Sequence, residues 1–266
     1  MPEDRIARDA GRDLFGADPA AYLQARPGYP DWVYDELVER CGLRPGTATF
    51  EIGPGPGTAT GRLLELGADP LVAVEPDARL ATFLRERFPD APLDVVAASF
   101  EDAPLELGAF DLGVSFTAFH WLPEEAALAE VARLLRPGGW WAACWNVFGD
   151  DALPDPFHDA TTQLLRGPTG PAAGTRGTPF GIDTDARLDA LRRADAFDVV
   201  DARTSTWSLE LDAERTVALY ATFSNVVVRP DAGHVLAELG RIAREEFGGR
   251  VVRNMTTSLV LGRRRG

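Results

Sequence analysis

The sequence predicts an α/β protein built on a doubly wound, mostly parallel sheet. Three observations carry this. Short apolar runs at 47–52, 71–75, 93–97 and 110–116 alternate with amphipathic helical stretches through the first half. A glycine-rich turn, Gly53-Pro54-Gly55-Pro56-Gly57, follows the first run directly. Further on, Pro137-Gly138-Gly139 turns a helix into a fifth run at 140–145.

The elements follow in order. Residues 30–41 place Trp32, Val33, Leu37 and Val38 at helical spacing, and Gly42 stops them. Residues 47–52 form the first core strand. A helix over 58–66 is stopped by Gly67, and 71–75 is a second short buried strand. The helix over 77–88 carries Leu80, Phe83, Leu84 and Phe88 and is closed by Pro89. Strands at 93–97 and 110–116 follow. The helix over 123–136 has acids in its first turn and Arg133 and Arg136 in its last, as the helix dipole favours. In the second half, 148–181 reads as a loop, with its glycine- and proline-rich part at 166–174. A helix is predicted over 185–196, a strand over 197–202 and an edge-like alternating strand over 204–211. Helices over 213–223 and 232–247 and a strand over 254–261 complete the chain. Arg263-Arg264-Arg265 reads as a solvated tail.

The formal charge of −14 repels phosphate backbones and anionic lipid surfaces, so neither nucleic acid nor membrane is an expected partner. All basic side chains are Arg or His; there is no lysine. Cys41 and Cys144 have no metal or redox spacing and are expected to be buried thiols. The N-terminal residues lack a signal-peptide pattern and no apolar run reaches membrane-span length, so a cytoplasmic location is expected.

Four features in chain order carry the chemistry. The first is the glycine turn, where the backbone can approach a ligand closely. Glu51, at the end of the preceding strand, suits a ligand bearing an ammonium or sulfonium better than a phosphate. The second is Glu75, at the separation expected of a carboxylate that accepts both ribose hydroxyls. The third is Ser99-Phe100-Glu101-Asp102, with a ring and acids suited to a purine and its amino group. The fourth is the loop from Ser115 to Trp121, facing the reactive end of the ligand. The dinucleotide fingerprint wants Gly or Ala at its sixth position, and Thr58 stands there.

Together with Val74-Glu75-Pro76, Phe119-His120-Trp121 and Leu135-Arg136-Pro137-Gly138-Gly139, these motifs resemble the class I S-adenosylmethionine-dependent methyltransferases. Within them the chain resembles the small-molecule branch that includes trans-aconitate methyltransferase and the ubiquinone-biosynthesis C-methyltransferases. The stretches 22–30 and 220–224 share that resemblance, which is strong over 20–146. It implies a seven-stranded, Rossmann-like methyltransferase sheet with a helical lid, in one domain. Residues 1–42 would form an arm, 43–147 the cofactor core, 148–232 a partly inserted lid, and 233–266 the last helix and strand.

The resemblance further implies S-adenosylmethionine as cofactor. Gly53, Pro54, Gly55, Gly57 and Thr58 would line its methionine moiety, with Glu51 near the amino group through water. Glu75, beside Pro76, would hold the ribose, and Ser99, Phe100 and Glu101 would meet the adenine. Many relatives carry Asp where Ser99 stands, which shifts adenine recognition toward Glu101. Ser115 would offer its carbonyl, His120 would lie near the transferable methyl, and Tyr22 and Arg26 would reach the cofactor carboxylate or the acceptor. Trp121, Trp145, Phe148, Tyr220, Phe223 and Ser224 are candidate acceptor walls, while His158 and His234 are read as structural. His120 is the candidate base for an acceptor that must lose a proton. The loop after 110–116 lacks the Asn-Pro-Pro-Tyr type of motif, against DNA or glutamine methylation. A small-molecule acceptor follows, with oxygen, carbon and nitrogen all open and monomer or homodimer equally compatible. The alternative is a reaction on the same fold and cofactor without methylation, such as a cyclisation.

Overall fold

A computed structural model describes residues 6–148, 153–174 and 177–266. The expectations for residues 1–5, and for 149–152 and 175–176 within the 148–181 loop, lie outside the described residues. Seven strands form one sheet: β1 (Thr47–Ile52), β2 (Ala68–Val74), β3 (Leu93–Val96), β4 (Phe110–Phe116), β5 (Leu135–Phe148), β6 (Phe197–Asp212) and β7 (Arg250–Arg264). Their order is β3-β2-β1-β4-β5-β7-β6, parallel except for β7, which runs antiparallel to both of its neighbours. The helices are α1 (Pro19–Ala25), α2 (Asp31–Glu39), α3 (Thr60–Glu65), α4 (Ala78–Arg87), α5 (Glu124–Leu134), α6 (Pro156–Thr161), α7 (Thr184–Arg193), α8 (Ala213–Tyr220), α9 (Ser224–Val227) and α10 (Ala232–Glu245). No helix among the described residues is long and apolar enough to cross a membrane.

Strand alternation sorts the core into layers. On β1, Phe50 and Ile52 face the layer that also buries Leu128 and Val131 of α5 and Leu191 of α7. On β4, Leu112 and Val114 face the opposite layer, with Val33 and Leu37 of α2 and Leu63 of α3. Phe50 fits because Gly113 beside it has no side chain: a Cβ there would stand 2.2 Å from the ring. A separate apolar cluster joins Leu211 of β6 and Val251 of β7 to Leu219, Val235 and Leu239 of α8 and α10. The capping structure is therefore helices mounted on the ends of two long strands.

Several boundaries differ from the sequence reading. The runs 197–202 and 204–211 are one strand, because β7 pairs with β6 from Arg264 back to Arg250. That pairing also extends the strand expected at 254–261. The helix expected over 123–136 ends at Leu134. Leu135 already pairs with Phe110, and a bulge brings Trp140 opposite Leu112. Within the expected loop, Asp155 caps α6 by accepting from the His158 N–H at 2.9 Å, with Pro156 in the first helical turn. The expected helix over 213–223 breaks at Tyr220. The arginine tail is solvated, with Arg263 and Arg265 exposed, and its side chains are also paired. Arg264 donates to the Leu135 carbonyl, Arg263 to that of Gly138, and Arg265 pairs with Asp195 and Asp198. Cys41 and Cys144 are free and buried, as expected. The expected lid segment 148–232 contributes α7 and β6 to the main sheet and its flank, leaving α6, α8 and α9 over the strand ends.

Candidate active site

The strand order reverses between β1 and β4, and a crevice opens there at the carboxyl ends of the parallel strands. The glycine turn fills its floor. Gly53, Gly55 and Gly57 have φ of 65°, 57° and 87°, a left-handed backbone that other residues adopt at a cost. A Cβ on Gly53 would meet the Ala118 Cβ at 2.5 Å, so the turn is packed against the loop after β4. A Cβ on Gly55 would meet no protein atom within 4 Å; it would project into the open crevice. Arg87 braces the turn from behind, donating to the carbonyls of Pro56 and Gly57 at 2.8 and 3.0 Å.

Two carboxylates support this floor. Glu75 accepts from the Gly55 N–H and the Asp77 N–H, each at 3.0 Å, and lines the cavity. Burial pushes its carboxyl up to about 7 against those two hydrogen bonds. Glu51 lies beneath the turn, fully buried and outside the cavity wall. Its Oε2 accepts from the Thr60 hydroxyl at 2.7 Å, while Oε1 has no partner. Burial raises this carboxyl to about 7 as well, and Glu75 adds to the rise. An unpartnered buried acceptor at this point fits a cationic or donor group above the turn.

At the third feature, the Ser99 hydroxyl donates to Asp102 at 2.6 Å. Phe100 is mostly core, stacked 6.3 Å from Phe50, with an edge on the cavity; Glu101 lines the wall beside it. Ser115 lies behind the wall and its hydroxyl donates to the Ile52 carbonyl at 3.0 Å, tying β4 to β1. Gly57 likewise backs onto Leu84 and Phe88.

The loop after β4 holds a residue that the sequence reading passed over. Thr117 has φ of 56°, a strained conformation for a branched residue. Its N–H donates to the Cys144 carbonyl at 2.7 Å, and its hydroxyl shares a 2.8 Å hydrogen bond with Tyr29. That posture turns the following segment into the crevice. His120 is buried on the cavity wall with Nδ1 unpartnered. Burial, and then the fields of Arg26 and Arg8, hold its imidazole neutral and depress its pKa to about 3. Trp145, across Phe180 from His120, also has an unpartnered ring N–H.

The arm and the cap close the remaining walls. Arg26 donates to the Thr222 carbonyl at 2.9 Å and lies over the rings of Tyr22 and Phe223 at 5.3 and 4.8 Å, clasping α1 to the turn after α8. Tyr22, Arg26, Trp121, Trp145, Tyr220 and Ser224 all border the same cavity, as do Pro54, Thr58 and Pro76. His158, read as structural, lines it too, whereas His234 is exposed. The sequence reading assigned no role to Tyr29, Asn146, Arg253 or Met255, which also border the cavity. Tyr29 lies in a motif it had quoted, but nothing local marks Arg253, which arrives from β7. The cavity measures about 1030 Å³. Pockets for single drug-sized ligands span about 300–1,000 Å³, so there is room for a cofactor and a second molecule.

Residues 50–143 match a family model described as a methyltransferase domain. An uncharacterized methyltransferase of Mycobacterium tuberculosis is 28% identical over 216 residues, covering 81% of this chain and 79% of the relative. One from a Geobacillus species is 32% identical over 159 residues, covering 54% of this chain and 70% of the relative. Among solved structures, a Haemonchus contortus phosphoethanolamine N-methyltransferase in complex with S-adenosylhomocysteine superposes with a TM-score of 0.60 at 13% identity. It covers 94% of this chain and 58% of its own.

Proposed function

The chain belongs to the class I S-adenosylmethionine-dependent methyltransferases, and from that premise we propose that it methylates a small-molecule acceptor held between the crevice floor and the cap. When bound, S-adenosylmethionine supplies a methyl group already activated by its sulfonium, which leaves by in-line displacement at carbon. The protein's contribution is then alignment and exclusion of water. The observation that carries the reading is the Gly55 turn: its N–H is held by Glu75 while the space before its Cα stands open.

In this reading Gly53, Gly55 and Thr58 cradle the methionine part, and Glu51 compensates its amino group from below. Glu75 has lone pairs left for the ribose hydroxyls, since each oxygen accepts a single backbone N–H. Glu101 receives the adenine amino group at the rim. His120 acts as a neutral positioning group. With a conjugate-acid pKa of about 3 it is a weak base, and the guanidinium groups of Arg26 and Arg8 oppose its taking up a proton. The Arg26 clasp holds the arm over the cavity and keeps bulk water out.

Titration calorimetry with S-adenosylmethionine, S-adenosylhomocysteine and NADH tests the cofactor assignment. Micromolar-range binding of the two sulfur compounds without NADH binding is expected. Failure of both to bind would sink the reading. Accumulation of S-adenosylhomocysteine with an added acceptor then separates methyl transfer from any other chemistry on this fold.

A further inference from the structure

We infer that the acceptor carries an anionic head, a carboxylate or a phosphate, on an apolar body, and that Arg253 and Tyr220 receive that head. The inference rests on the methyl-transfer reading and names the substrate class of the same site. Its first support is charge distribution. The chain has 41 acidic residues against 27 arginines, yet its cavity reverses the balance. Among the described residues four arginines border it, Arg8, Arg26, Arg166 and Arg253, against two acids, Glu75 and Glu101. Both acids stand beyond β2 and β3, on the cofactor side of the crevice. Among the described residues, the arm and the cap bring Arg8, Arg26, Arg166 and Arg253, and no acid, to the remaining volume.

The second support is how Arg253 is built in. It is 1% exposed, two residues along β7 from Val251 of the apolar cluster under α8 and α10. Its Nε donates to Asp155 at 2.7 Å, Nη1 donates to the Tyr220 hydroxyl, and its plane lies over the rings of Phe148 and Tyr220 at 5.0 and 5.4 Å. Burying an ion pair costs several kcal/mol per ion in desolvation, and an apolar pair of similar volume would pack at least as stably. What an apolar pair would not supply is a planar fork of donors held in a fixed orientation against the cavity. Asp155 cancels the charge of Arg253, so Arg253 gives direction, while Arg8, Arg26 and Arg166 supply the attracting field. Burial is the main cause of the depressed pKa of His120, and Arg26 and Arg8 add to it from across the cavity. Phe148, Leu165, Phe223 and Met255 complete the same walls and ask for an apolar body. An amine acceptor would enter against repulsion from Arg8, Arg26 and Arg166.

The test uses the full chain saturated with S-adenosylhomocysteine, titrated with 3-phenylpropionate, octanoate and octyl phosphate beside 3-phenylpropionamide, octanamide and octylamine. At least one anion is expected to bind tenfold or more tightly than its neutral partner, weakening as salt rises; the ranking of carboxylate against phosphate identifies the head. In the double variant Arg8→Gln/Arg166→Gln, whose side chains are exposed, anion affinity should fall five- to tenfold with amide affinity unchanged. Tyr220→Phe, which keeps the ring, should weaken the anion alone. Amides or octylamine binding as tightly as the anions, or no anion binding while S-adenosylhomocysteine does, overturns the inference and leaves the methyl-transfer reading standing. Loss of S-adenosylhomocysteine binding itself would strike that reading instead.

Discussion

Glu51 accepts a hydrogen bond from the Thr60 hydroxyl on one carboxylate oxygen, at 2.7 Å, and its other oxygen has no hydrogen-bond partner beneath the glycine turn. Its carboxyl, raised to about 7 by burial, is therefore half-ionised near neutral pH in the free protein. The folded state holds a proton that the unfolded chain releases above 4.5. Stability is lost as pH rises from about 4.5 to 7, by roughly 3 kcal/mol for such a shift. Chemical denaturation from pH 5 to 8 should show Glu51→Gln gaining on the wild type by on the order of 2–3 kcal/mol.

The same proton reports on binding. A cationic amino group above Glu51 favours its ionised form, so cofactor affinity should rise between pH 5 and 7 and then level off. Calorimetry near pH 6.5 in buffers of different ionisation enthalpy should detect proton release on binding. In Glu51→Gln that share of the release should vanish, and affinity should drop about tenfold.

His120 should leave no limb in the pH profile. With its pKa near 3, its folded form binds fewer protons than the unfolded chain between 3 and 6.5, so it contributes stability that is lost as pH falls below 6.5. His120→Asn should flatten that loss. Its turnover should fall by roughly tenfold or less, with a kcat profile parallel to the wild type from pH 6 to 9. A limb near 6.5 that disappears in the variant would restore His120 as the base.

Two glycine substitutions should separate binding from folding. Gly113→Ala drives a methyl into the Phe50 ring and should cost about 1–3 kcal/mol of stability. Gly55→Ala meets open space, so its stability cost is limited to the left-handed backbone, about 1–2 kcal/mol. It should nonetheless weaken S-adenosylhomocysteine binding at least tenfold. Urea denaturation and calorimetry on the two variants read the contrast.

Asp155→Ala leaves the buried Arg253 guanidinium without its counter-ion and should destabilise by about 3–5 kcal/mol. The double change Asp155→Leu/Arg253→Met should recover most of that loss, as read by thermal melting in the presence of S-adenosylhomocysteine.

The crevice floor was legible in the sequence because its signals are local. Gly53, Gly55 and Glu75 each announce themselves through a neighbouring strand end, and the structure sets them around one opening. Residues contributed from a distance were not legible. Arg253 looks like one charge in an alternating strand; only the pairing of β7 with β5 and β6 carries it to the cavity. Thr117 gives no compositional hint of its left-handed backbone, which tertiary contacts with Cys144 and Tyr29 impose. The bulge at 136–139 and the fused β6 were missed for a related reason. Strand length is set by the partner, and a single sequence shows only one side of each ladder.

The length of that ladder has a mechanical consequence. β5, β6 and β7 run 14, 16 and 15 residues, against seven or fewer in the other strands. The cap thus stands on a continuous beam cantilevered from the sheet, with no hinge between beam and base. The arm, by contrast, meets the cap through side and main chain: Arg26 reaches Thr222 and Phe223, and the Ile6 N–H donates to the Thr169 carbonyl at 3.0 Å. The rigid side of the chamber is thus the one built on the ladder, and the side closed by the arm depends on contacts between separate stretches of chain.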